Sequence, residues 1–209
     1  MTFEVRYYVT ATGKVVFREW FDGLRDRQAQ ARIRVRLARL ERGLLGDVEP
    51  CGESVSELRI DWGPGYRVYF ACAGREIVLL LMGGDKRTQS ADRRRRSIGM
   101  TTGKGRKIHA GMPASVSSRP HLLAWLQDPR NAAAYIEAAL AEGDSGDLLH
   151  ALRNVAEARG GIAHIAERTG LNREALYRTL SRRGNPQLKS LAAILSATGL
   201  RLSVTPTGR

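Results

Sequence analysis

Arg59, Arg67 and Lys86 are the residues in the first half of the chain whose types and spacing point most directly to chemistry. Arg59 sits in the alternating run Val55 to Asp61 (VSELRID) and Arg67 in Tyr66 to Ala71 (YRVYFA). A period of two puts Leu58 and Ile60 on the face opposite Arg59, and Val68 opposite Arg67. Both arginines are therefore expected on one exposed sheet face. Lys86 closes Gly83-Gly84-Asp85-Lys86, directly after an apolar run. A glycine pair there permits close approach of a phosphate backbone, and Lys86 sets a charge beside it. Arginines on a strand more often line a solvated sheet face, and Tyr66 and Tyr69 suit sheet packing better than base stacking. No histidine lies in residues 1–99, so a histidine acid or base is excluded from this half.

A second constellation lies in GGIAHIAERTGLNREALYRTL. Ile162 to Thr169 reads as a helix, Gly170 as a tight turn needing positive φ, and Asn172 as the cap of a following helix. Ala166 lets two helices cross closely, while Leu171, Leu176 and Leu180 fill the core. The outward residues of the second helix are Arg173, Glu174, Tyr177, Arg178 and Ser181, with Arg182 and Arg183 at its end. With Asn172, they are the candidate DNA-contacting set. Arg173 and Tyr177 suit base edges; Arg178, Arg182 and Arg183 suit phosphates. An ordinary helical hairpin would share much of this pattern. His164 reads as a surface helix residue.

These positions need elements to hold them. Glu4 to Thr10 is β-prone. Val16 to Asp22 suits a short helix with Val16, Phe17, Trp20 and Phe21 on one face. Arg27 to Arg42 suits a longer one, with Ala29, Ile33, Leu37, Leu40 and Leu44 inward and Arg32, Arg34, Arg36, Arg39 and Arg42 on the other face. Three strands follow, turned at Gly63-Pro64-Gly65 and Ala73-Gly74, and the continuous run Ile77 to Leu81 suits the central strand. The second half reads as helices at Leu122 to Leu126, Asn131 to Ala141, Leu148 to Arg159 and Gln187 to Thr198. LRLSV at 200–204 suits a short strand able to pair in a dimer.

The expected fold is an α+β N-terminal domain, two helices on a small antiparallel sheet, followed by an all-α C-terminal helix-turn-helix domain with a short terminal strand. The expected boundaries are residues 1–96 and 121–209, joined by a basic Gly/Ser-rich linker over 97–120. Of the 209 residues, 34 are Lys or Arg and 21 Asp or Glu, a net charge of +13. Residues 1–99 hold 19 basic and 13 acidic residues, and residues 121–209 hold 11 and 8. Such a surplus favours a polyanionic partner. No apolar run is long enough for a membrane helix and no secretory leader is evident, so the expectation is a cytoplasmic nucleic-acid binder. Cys51 and Cys72 and the four histidines show no metal-ligand spacing, so neither metal nor cofactor is expected.

ELRIDWGPGYRVYF followed by LLLMGGDKRTQ resembles the phage-derived, HigB-type branch of the RelE/ParE toxin superfamily, over about residues 3–92. NREALYRTLSRRGNPQLKSLAAILSATGLRLSV, with AAYIEAALAEGD, resembles HigA-type addiction-module antidotes over about residues 122–205. The first resemblance implies a RelE-like fold and metal-independent cleavage of messenger RNA on the ribosome, by 2′-OH attack on the adjacent phosphate. Arg59, Arg67 and Lys86 would then stabilise the phosphorane, Asp85 would orient Lys86 or act as a weak base, and Tyr66 or Tyr69 would stack an RNA base. The second implies binding to the toxin, here within one chain, and to operator DNA, as a homodimer through the C-terminal domain. Two alternatives stay open. One is a DNA-binding transcriptional regulator with an inactive toxin half, favoured by SADRRRRSIGMTTGKG where relatives continue in a helix. The other is a topoisomerase inhibitor, as on the ParE side of the superfamily.

Overall fold

The computed structural model describes residues 2–52, 54–86, 114–181 and 183–204. The chain divides into two compact units, residues 1–120 and 121–209.

Among the described residues the first unit is a six-stranded sheet with two helices. Its elements are β1 (Glu4–Tyr8), α1 (Val16–Asp22), α2 (Arg27–Glu41), β2 (Val48–Gly52), β3 (Val55–Ile60), β4 (Tyr66–Ala73), β5 (Ile77–Asp85) and β6 (Ser115–Ser117). The strand order is β2-β3-β4-β5-β1-β6. The apolar run of β5 is an interior strand, as its composition predicts, between β4 and β1. The sheet differs from the expected antiparallel one in three ways. β1 runs parallel to β5, with Val5 opposite Val78 and Tyr7 opposite Leu80, so the sheet is mixed. β2 is an additional strand at one edge, where Pro50 costs no interior ladder bond. Ser115–Ser117, expected within a solvated linker, pairs antiparallel with β1; residues 97–113 of that expected linker lie outside the described residues.

Phe17 and Phe21 of α1 are fully buried, and Phe17 stacks on Tyr7 at 5.4 Å between ring centroids. Trp20 of the same helix lies over Gly83. A Cβ on Gly83 would stand 2.0 Å from Trp20 Cε3, so at this position the absent side chain makes room for an indole. Asp26 caps α2, accepting from the Ala29 N–H at 3.1 Å, and its other oxygen accepts from Trp62 Nε1 at 2.9 Å. The arginine stripe of α2 is not a solvated face. Arg34 is buried, donates to Tyr7 Oη at 3.0 Å and lies 4.2 Å from the Phe21 ring centroid. Arg32 lies 4.0 Å from the Trp62 ring centroid. Aromatic faces thus take up guanidiniums that periodicity alone assigns to water. At the end of α2, burial lifts the Glu41 carboxyl to about 7, against the opposing pull of Arg119 and then Arg34.

The second unit holds α3 (Arg119–Leu126), α4 (Pro129–Ala141), α5 (Ser145–Ala158), α6 (Gly161–Thr169), α7 (Arg173–Thr179) and α8 (Leu188–Ala197), α3 beginning just before the boundary between the units. Asp128, Asp144 and Asn172 cap α4, α5 and α7 with their side chains. Leu126, Tyr135, Leu152, Val155, Ile165, Leu176 and Ile194 are among the buried core residues. Asn154 Nδ2 donates to the buried Tyr135 Oη at 3.0 Å, which satisfies both polar groups. Within the single chain residues 200–204 are not a strand: the chain turns at Gly199 (φ +75°), and Leu202 and Val204 are exposed, with no partner strand among the described residues. An extended segment becomes a strand only when a second one takes up its N–H and C=O groups.

The Trp20–Gly83 contact has a measurable consequence. Gly83→Ala forces the indole or strand β5 to shift, an overpacking cost of about 1–3 kcal/mol. A drop in chemical-denaturation midpoint with unchanged slope is the expected result; an unchanged midpoint would show that the indole moves freely.

Candidate functional site

The β3–β4 hairpin sets the geometry of the first candidate site. Its register places Arg59 opposite Arg67 and Glu57 opposite Tyr69; on the other side of β4, Arg67 lies opposite Gly84 and Tyr66 opposite Asp85. Arg59, Arg67 and Gly84 therefore form one row across three strands, on the same face as Glu57 and Tyr69. Tyr66 and Asp85 point to the other face, where the Tyr66 ring meets Trp20 edge-on at 6.4 Å.

Like charges directly opposite each other on paired strands repel. Glu57 resolves the conflict. Its carboxylate accepts from Arg59 Nε at 3.1 Å and from an Arg67 guanidinium nitrogen, and Arg59 also pairs with Glu49 on β2. The Glu57 side chain is 3% exposed, that of Arg67 12% and that of Arg59 37%. The Cys51 thiol reaches the other Glu57 oxygen at 3.8 Å. The face holds two guanidiniums and two carboxylates, not a bare cationic patch. Its opening to solvent is at Arg59.

The other expected site residues are spread around this row. Tyr69 is fully buried beside Glu57, and Tyr66 is buried beneath Trp20, so the two tyrosines lie on opposite faces of the sheet. Lys86 is exposed one residue past the end of β5, and its backbone N–H donates to the Gly65 carbonyl at 3.0 Å, closing the turn beside Arg67. The structure thus brings Arg59 and Arg67 together, keeps Lys86 at the nearby strand end, and turns Asp85 away. Glu57 and Glu49 are members that the sequence reading passed over. For Glu57 a signal existed: it lies two residues before Arg59, hence on the same face.

The second candidate site is built on α6, Gly170 and α7. Gly170 adopts φ +67°, which lets the chain reverse within one residue. Thr169 Oγ1 donates to the Ile165 carbonyl at 2.7 Å and receives the Leu171 N–H at 3.3 Å. Asn172 Oδ1 accepts from the N–H groups of Glu174 and Ala175, at 2.9 and 3.1 Å, so its side chain is committed to the cap. Leu176 and Leu180 are buried, and Arg153 donates to the Leu180 carbonyl. That anchoring leaves Arg173, Glu174, Tyr177 and Arg178 exposed along one face of α7, with the Arg173 guanidinium 6.0 Å from the Tyr177 ring centroid. Ser181 is half-buried and Arg183 exposed; Arg182 lies outside the described residues. Such a face can offer two guanidiniums, a phenol and a carboxylate to a groove.

Cys51 and Cys72 are free thiols, and burial pushes the Cys72 thiol upward. Among the described residues no group of His, Cys, Asp and Glu side chains could hold a metal ion, and no helix is long and apolar enough to cross a membrane.

The probable addiction module antidote protein family matches residues 119–206. An uncharacterized protein of Haemophilus influenzae is 39% identical over 92 residues, which is 44% of this chain and 87% of that relative. A second uncharacterized protein of the same organism is 34% identical over 70 residues, 34% of this chain and 71% of the relative. Both relatives are about half as long as this chain. No solved structure matches it. Through residues 119–206 the chain belongs to the family of probable addiction module antidote proteins.

Proposed function

We propose that the chain is a toxin–antidote pair in one polypeptide, a toxin of the RelE type in the first unit and its antidote in the second. The observation that carries this reading is the division of labour along the chain. An antidote-family region begins at residue 119, and what precedes it is an independent α/β unit rather than more antidote. An antidote implies a toxin to neutralise. The half-length relatives fit a chain that joins two otherwise separate proteins.

In this reading the arginine row contributes the chemistry. Arg59 and Arg67 stabilise negative charge developing on a phosphate, and Lys86 adds a mobile cation from the strand end. Glu57 holds both guanidiniums in place and is a carboxylate within reach of the same phosphate; it is a better-placed proton acceptor than Asp85, which faces the other side of the sheet. Tyr66 and Tyr69 serve the packing of the two sheet faces rather than base stacking. The face of α7 binds operator DNA, with Arg173 and Tyr177 at base edges and Arg178 and Arg183 at phosphates.

A regulator with an inactive toxin half is the second reading. The engagement of both arginines by Glu57 and Glu49 favours it, since it leaves little unneutralised positive charge on the row.

Expression of residues 1–118 under tight control distinguishes the two. That span keeps β6, which pairs with β1, and ends before the antidote-family region. Growth arrest, relieved by Arg67→Ala and absent with the full chain, is the expected outcome. Unimpeded growth with folded 1–118 protein in the cells would leave the regulator. For the second unit, Arg173→Ala is expected to weaken binding to the chain's own promoter DNA by roughly tenfold or more, the scale of one lost base contact of about 1–3 kcal/mol. Unchanged affinity in a mobility-shift assay would remove α7 from the groove.

A further inference from the structure

The charged groups of the arginine face form a square. Glu49 on β2 stands directly opposite Glu57 on β3, and Arg59 on β3 stands opposite Arg67 on β4. Glu57 and Arg59 are two residues apart on one strand, so all four side chains leave the same face of the sheet. Each like-charged pair is relieved by the other. Glu57 accepts from both arginines, and a second nitrogen of Arg59 pairs with Glu49. The two carboxylates are not equivalent. Glu57 lies inside the face beside the fully buried Tyr69, its side chain 3% exposed, whereas Glu49 is 54% exposed on the edge strand.

That difference decides which acid can leave. Withdrawing Glu57 would take a carboxylate from Arg67, a largely buried cation, and breaking a buried pair is costly. Withdrawing Glu49 breaks a contact between two solvent-exposed groups, and such ion pairs contribute little to stability. The four side chains together carry no net formal charge while Glu49 is in place. Once it swings away, Arg59 turns an open guanidinium edge to solvent, the group that grips a phosphate through charge-assisted hydrogen bonds. Arg59 is also the more exposed of the two arginines, so an anion arriving from solvent meets it first, on the side that Glu49 holds. We propose that Glu49 is a resident competitor for an anionic ligand of this face. Its carboxylate stands where a phosphate group binds Arg59, and the phosphate gains the site by displacing it. In the toxin reading, on which the inference rests for its biological meaning, that phosphate belongs to the RNA backbone.

The test follows the Arg59 Nε–Hε signal of the full chain by NMR while inorganic phosphate is added, the signal being assigned by its loss in Arg59→Ala. Reading one guanidinium separates this site from the other cations of a chain with a net charge of +13. Glu49→Gln keeps the size of the side chain and removes its charge. It is expected to lower the phosphate concentration at half-saturation by roughly two- to fivefold, the worth of one exposed ion pair. Asp22→Asn makes the same change in net charge on α1, where Asp22 pairs with Arg18, and is expected to leave that concentration unchanged. Circular dichroism checks that each variant folds. Equal half-saturation with and without Glu49 overturns the proposal, as does a signal that phosphate moves in neither protein. A gain matched by Asp22→Asn overturns it too, since net charge alone would then account for it. The readout needs no RNA cleavage. Growth arrest by residues 1–118 beside an unchanged phosphate affinity in Glu49→Gln would keep the toxin and discard the competitor; the converse result would keep the competitor on a face without toxic activity.

Discussion

Strand β1 is bonded along both edges, parallel to β5 on one side and antiparallel to β6 on the other, and the rest of the first unit depends on that double pairing. It closes the flank of the most apolar strand in the chain. Its Tyr7 ring stacks on Phe17 and its Tyr7 hydroxyl receives Arg34, so the same strand fixes α1 and draws a cation of α2 into the core. With the helices so placed, Trp20 settles over Gly83, and the Tyr66 side of the hairpin is sealed. On the opposite face, where the two arginines stand, Glu57 and Tyr69 are buried and Arg59 is the more exposed of the two arginines.

That face is governed by a second constraint, the cost of two guanidiniums in cross-strand register. A carboxylate buried between them removes the repulsion, and removing it would strand a largely buried cation, a loss of about 3–5 kcal/mol in comparable buried pairs. Arg67 is held nearly out of solvent while Arg59 stays open, so an anionic ligand would approach from the Arg59 side.

Much of this was legible from local pattern. The helical spacing of Phe17, Trp20 and Phe21, the alternation in VSELRI and YRVYFA, and the turn at Gly63-Pro64-Gly65 together predict the hairpin, its inward residues and the shared face of Arg59 and Arg67. The turn glycine at 170 and the capping Asn172 predict the exposed side of α7. What was not legible depends on long-range pairing. Nothing within EVRYYVT says that its neighbour is β5 in parallel rather than an adjacent hairpin strand. The Pro-containing VEPCG and the three-residue SVS carry too little β signal to stand out, and each becomes a strand because an edge offers it a ladder. Arg34 reads as surface because periodicity cannot see the Phe21 ring and the Tyr7 hydroxyl that receive it.

Residues 119–206 match an antidote family, and in our proposal the first unit is the toxin that they neutralise. In that proposal the first unit cuts messenger RNA when the antidote region is missing. Mapping of new RNA 5′ ends in cells producing residues 1–118, the Arg67→Ala form of the same span, or the full chain tests that claim most directly. New ends within coding sequences, present only for unsubstituted 1–118, are the predicted result. Intact messenger in arrested cells would contradict it and move the target from RNA to a topoisomerase.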